Sequence, residues 1–201
     1  MTGEDAETGQ VKLFLWGLDI DFERNTAIPC ECLRKVREKL ENGITCFRTE
    51  PDIMLLGPNH LVLIEAKFTS GNTVCVDDED VVGEKPKSRE GLLKRYIENN
   101  DLWQPVLSRQ DVGERIHSQL LRMIVFASTM AQMRNKQQWK LVNLVSRTQW
   151  DKCRHRKGSD FRDPTEFIPA RVRDCFQFLY WEQFYNAILA TDLLANEIAE
   201  Y

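Results

Sequence analysis

Residues 49–70 read Thr49-Glu50-Pro51-Asp52-Ile53-Met54-Leu55-Leu56-Gly57-Pro58-Asn59-His60-Leu61-Val62-Leu63-Ile64-Glu65-Ala66-Lys67-Phe68-Thr69-Ser70. Two apolar runs flank the turn formers Gly57-Pro58-Asn59-His60, which predicts a β-hairpin. Strand side chains alternate between faces, so Glu65 and Lys67 share one. Asp52 heads the partner strand, where an antiparallel register sets it opposite them. Two acids and a lysine then gather at the open end of the hairpin. Near-continuous apolar runs imply strands covered on both faces. A charge placed there must be paired or hold a metal.

Two carboxylates make a hard oxygen site of the kind that suits Mg²⁺ or Mn²⁺. Such an ion can polarise a phosphoryl oxygen, and a nearby lysine can orient a water or steady developing charge. An ordinary strand end has the same spacing: an Asp at a turn and a Glu/Lys pair two residues apart.

The residues also carry a resemblance. Pro51-Asp52, then Glu65-Ala66-Lys67 preceded by the apolar Leu61-Val62-Leu63-Ile64, resembles the signature of the PD-(D/E)xK nucleases, the restriction-endonuclease-like superfamily. The likeness covers residues 29–67 in motif and the rest only in layout. It implies an α/β fold, a three-layer sandwich with a mixed central β-sheet. It also implies Asp52, Glu65 and Lys67 as catalytic residues, with Asp52, Glu65 and the Ala66 carbonyl holding the metal. In that family a helix before the hairpin often supplies a further glutamate. Glu31 matches by distance, with Glu23 as substitute, and Glu50 shares the strand face of Asp52. Glu31 nonetheless lies opposite the Leu33/Val36/Leu40 stripe, as a solvated glutamate would. A glutamine or tyrosine on the helix after the Glu-Ala-Lys strand faces the site in some branches, which points to Gln119. The alternative is a polar residue on an amphipathic helix.

Elsewhere the chain reads as one domain with insertions. Residues 1–10 predict an acidic, frayed tail. Residues 11–201 predict a single domain, with insertions near 71–110 and 151–170. No run of about eighteen apolar residues or signal-like segment is visible. The six cysteines form no CxxC pair. Reduced thiols in a cytoplasmic protein are the expectation. Val11–Trp16 reads as a strand. Pro29 reads as the opening of a helix that ends at Asn42-Gly43, and 44–48 as the start of the first hairpin strand. Residues 91–99 and 111–133 read as helices. Leu141–Val145 predicts a strand parallel to the second hairpin strand. A polar connection over 150–170, a strand over 175–180 and a closing helix over 181–200 complete the layout.

Charge is uneven. Residues 134–173 hold eleven Lys/Arg against four Asp/Glu, whereas 174–201 hold five acids and no Lys/Arg. A basic belt inside an acidic chain suits a phosphate backbone. Arg154, Arg156 and Lys157 are its densest part, with Trp150 and Phe161 near enough in sequence to stack on bases if exposed. Ordinary solvated surface is the other reading of this belt.

Two function classes follow. One is a metal-dependent nuclease, endo or exo, acting on DNA, with a homodimer favoured if both strands of a duplex are cut. The other is a non-catalytic nucleic-acid-binding or regulatory module on the same fold. A small-molecule phosphohydrolase is disfavoured because no phosphate-cradling glycine loop is present.

Overall fold

The computed structural model describes residues 11–21, 24–42, 49–67, 96, 118–136, 138–155 and 170–189. The chain is of the α/β class, built on a mixed open sheet of seven strands in the order β3-β2-β1-β4-β5-β6-β7. The strands are β1 (Lys12–Leu15), β2 (Leu18–Asp21), β3 (Thr26–Pro29), β4 (Ile53–Leu56), β5 (His60–Lys67), β6 (Gln138–Val145) and β7 (Phe176–Tyr180). The helices are α1 (Glu31–Leu40), α2 (Ser118–Met133), α3 (Arg147–His155) and α4 (Trp181–Leu189), with a 3-10 turn over Ala170–Cys175. Strands β3, β2, β1, β4 and β5 run antiparallel in succession, while β5, β6 and β7 are parallel.

The β4–β5 hairpin forms as its sequence predicts. Leu56 pairs with Leu61 and Ile53 with Ile64, and the turn closes through Gly57 N–H donating to the His60 carbonyl at 2.9 Å. Met54, Leu56, Leu61 and Leu63 face the main core with Leu33, Val36 and Leu40 of α1 and much of α2. Burying each such side chain contributes roughly 1.5–3 kcal/mol. The alternate residues face the other way, where Ile64, Val142 and Leu144 pack with Ile53, Val62, Leu179 and Trp181.

Three features depart from the sequence expectation. First, the segment after β1 makes two further strands. Trp16 and Gly17 both have positive φ, 49° and 73°, as a two-residue hairpin turn between right-twisted strands demands. Glycine suits this positive φ, and a Cβ on Gly17 would lie 2.4 Å from Leu33 Cδ2, so the end of the Leu33 side chain would have to shift. Second, Pro29 closes β3 rather than opening a helix. Cys30 is the N-cap, and its N–H is held by the Gly17 carbonyl at 2.8 Å. Third, α3 occupies the start of the expected polar connection. Its Trp150 is 5% exposed and packs on Phe178, with ring centroids 4.4 Å apart. Trp150 is therefore core and does not stack on bases.

The expected tail over 1–10, the expected strand over 44–48 and Phe161 lie outside the described residues, as does most of 71–110 and 151–170. Cys30, Cys32 and Cys175 form no disulfide among the described residues. Among the described residues no helix is long and apolar enough to cross a membrane.

Candidate active site

The hairpin register decides the site. Counting one row beyond the Ile53–Ile64 pair sets Asp52 opposite Glu65, on the core face that also carries Met54 and Leu63. Asp52 is pinned from both sides. Its carbonyl accepts from Trp16 N–H at 3.0 Å, and its Oδ2 accepts from Ala66 N–H at 2.7 Å. The Asp52 carboxylate thus extends the ladder where strand pairing ends. On the far side of β5, Glu65 is paired in register with Asn143 of β6. The row Asp52–Glu65–Asn143 lies near the C-terminal ends of β5 and β6, where open α/β sheets place their ligands.

Glu65 is 2% exposed. Its Oε1 accepts from Lys67 Nζ and from Gln119 Nε2, the latter at 2.5 Å. Its Oε2 is buried without a hydrogen-bond partner among the described residues. Burial pushes the Glu65 carboxyl above its ordinary value; the Lys67 ammonium opposes this by charge and hydrogen bond, Asp52 adds repulsion, and Arg122 opposes the rise. Lys67 and Glu65 meet because residues two apart on a strand share a face, and Gln119 reaches them from the first turn of α2.

A second buried network holds the approach to Asp52. Glu41 Oε1 accepts from the Thr49 N–H and the Tyr96 hydroxyl. The Arg37 guanidinium donates twice to the Thr49 carbonyl, at 3.0 and 2.8 Å, and Arg122 donates to the Thr49 hydroxyl at 3.3 Å. Thr49 is thereby tied to α1 and α2, three residues before Asp52. Burial, helped by the Glu41 charge, pushes the Tyr96 hydroxyl well above its ordinary value. It serves as a hydrogen-bonding group, not as a base.

The remaining expected acids are engaged elsewhere. Glu31 pairs with Arg34 and Lys35 on the surface of α1, and the Arg34 hydrogen bond holds its carboxyl below the ordinary range. Glu50 is half exposed and pairs with Arg37 at 3.2 Å. Glu23 lies outside the described residues. Among the described residues no group of three or more His, Cys, Asp and Glu could hold one ion. Among the described residues the carboxylates brought together at this row are those of Asp52 and Glu65. That set suits Mg²⁺, which is held by one or two carboxylates and keeps several waters.

The basic belt divides. Lys136 Nζ donates to the Pro58 carbonyl at 2.7 Å, beside the hairpin turn. Arg147 lies over the Tyr180 ring at 4.7 Å, at the opposite ends of the strands. Seven residues of β5 separate those ends, roughly 23 Å at about 3.3 Å per residue. Arg147 is on the Lys67 side, where Ser146 N–H bonds the Lys67 carbonyl at 3.2 Å. Arg154 falls in α3, while Arg156 and Lys157 lie outside the described residues.

Arg122 and Asn143 escaped the sequence reading. A signal existed for each: Arg122 follows Gln119 by one helical turn, and Asn143 interrupts the apolar run Leu141-Val142-Asn143-Leu144-Val145. Comparison with known protein families, curated proteins and solved structures finds no match.

Proposed function

We propose that the chain is a divalent-metal-dependent nuclease of the PD-(D/E)xK type that hydrolyses phosphodiester bonds in DNA. The observation that carries this reading is the convergence of Asp52, Glu65 and Lys67 on one sheet face, with Glu65 Oε2 buried and unpartnered among the described residues. Carboxylates held side by side repel, and buried charges are paired or coordinate metals. The mixed sheet, with α1 before the hairpin and α2 between β5 and β6, is compatible with the restriction-endonuclease-like, three-layer core this reading requires.

Asp52, Glu65 and the Ala66 carbonyl would hold Mg²⁺ or Mn²⁺. The ion would supply Lewis-acid polarisation of a phosphoryl oxygen. Asp52 is oriented by Ala66 N–H, and Glu65 by Lys67 and Gln119. Lys67 Nζ, partly exposed beside Glu65 Oε1, orients the attacking water and steadies charge developing on the phosphate. The α2 helix and the sheet exclude bulk water behind Glu65, which strengthens these interactions. Arg147, with Arg154, Arg156 and Lys157 of the same basic stretch of sequence, would bind the phosphates, and a homodimer would place two such sites for a duplex.

The test is incubation with labelled DNAs and RNAs in Mg²⁺, Mn²⁺ or EDTA. Cleavage of DNA that needs the metal and disappears in both Asp52→Asn and Glu65→Gln is the expected result. Binding without cleavage in either metal assigns the chain to the non-catalytic class.

A further inference from the structure

Asn143 is fully buried on the inner strand β6, at 0% exposure, and neither its Oδ1 nor its Nδ2 has a hydrogen-bond partner among the described residues. A buried amide left unsatisfied is costly, and apolar residues of similar shape are tolerated better at such positions. The strand itself offers that alternative, since Leu141, Val142, Leu144 and Val145 are all apolar and buried. The polar interruption falls in register with Glu65, between it and Phe178. Paired residues of a ladder point to the same face, so the Asn143 side chain shares the core face with Glu65. The two neighbours present complementary orphans: an amide donor on one strand and the carboxylate oxygen Oε2 on the next. Gln119 and Lys67 already serve Oε1.

We infer that Asn143 is a positioning residue for Glu65. Its Nδ2–H is the donor for Oε2 when the carboxylate holds a hard divalent cation, and it thereby sets the affinity of the Asp52–Glu65 pair for that cation. Asn143 has no solvent access, so it acts through Glu65 and touches no substrate. Partners of this kind orient the carboxylates that hold metals, and losing one typically costs about 10- to 100-fold in metal affinity. The inference rests on the reading of Asp52 and Glu65 as a cation site.

The probe is Mn²⁺ or Mg²⁺ alone, titrated into the full chain by calorimetry, with thermal melts of the metal-free protein beside it. Asn143→Leu keeps the branched four-atom skeleton of the side chain, with bulkier methyl ends, and removes both orphaned atoms. It should melt at or above the wild-type temperature, yet bind Mn²⁺ about 10- to 100-fold more weakly. A purely structural asparagine moves the two readouts in the same direction, so opposite movement is the signature. Should Asn143→Leu fail to fold, Asn143→Ala is titrated instead, with affinity referred to the folded fraction. Wild-type affinity in a folded Asn143 variant overturns the inference while leaving the cation site intact. Absence of Mn²⁺ binding to the wild-type chain overturns both, and loss of binding in Glu65→Gln with no change at Asn143 overturns only the role given to Asn143.

Discussion

Replacing Lys67 by methionine removes the ammonium that serves Glu65 Oε1 and keeps an unbranched side chain of comparable reach. Glu65 then has Gln119 as its remaining donor to that oxygen among the described residues. Removing one partner of a buried ion pair typically costs about 3–5 kcal/mol, because a charge stays behind without compensation. The Lys67 side chain is 16% exposed against 3% for Glu65. Water reaches the lysine end, so the lower part of that range applies, about 3 kcal/mol. At a urea slope of about 1–3 kcal/mol per molar, the midpoint should fall by roughly 1–3 M. The loss depends on pH in a definite direction. Burial already raises the Glu65 carboxyl, and Lys67 is the first group opposing that rise, so Lys67→Met raises it further. A carboxyl raised on folding makes the folded state bind the proton more tightly. Stability then falls as pH climbs from the ordinary carboxylate range through the raised value, and stays low above it. The deficit of Lys67→Met should therefore be larger at about pH 8 than near pH 4, because it grows as pH climbs out of the ordinary carboxylate range. Glu65→Gln/Lys67→Met should regain most of the lost stability, since neither charge of the pair remains. Urea curves of the four proteins at both pH values measure this. Equal deficits at the two pH values, or a double variant no better than Lys67→Met, would refute the buried pair. In the DNA assay the same substitution should lower the cleavage rate about 10²–10³-fold, as removing one preorganised transition-state donor does.

Gly17→Ala forces a side chain into the left-handed region and against Leu33; strain of about 1–2 kcal/mol and overpacking of about 1–3 kcal/mol should both appear in chemical denaturation, and an unchanged midpoint would contradict the turn geometry. Trp150→Ala should cost about 3–5 kcal/mol of stability, with DNA affinity of the folded protein unchanged; a selective loss of DNA affinity would return Trp150 to the binding surface. Neutralising Arg154, Arg156 and Lys157 together should weaken DNA binding and flatten its salt dependence by roughly one unit of slope for each phosphate no longer neutralised. A triple variant with the wild-type slope removes those residues from the interface.

The hairpin, its register and the shared face of Glu65 and Lys67 were legible in residues 49–70, because turn chemistry and a two-residue period are local properties. The parallel strand β6 followed from an apolar run after a helical segment, through the handedness of crossover connections. Other features required the tertiary structure, because they depend on which face of one element meets another. The spacing of Glu31 and Gln119 made both eligible, and only the packing of α2 against β5 brought Gln119 to Glu65, while Glu31 pairs with Arg34 on the outer surface of α1. Trp150 reads as a surface aromatic beside basic residues until α3 folds it onto Phe178. Asn143 is an ordinary polar residue in the linear chain. Strand pairing gives it Glu65 as a neighbour, and burial makes its unsatisfied amide costly enough to need a reason.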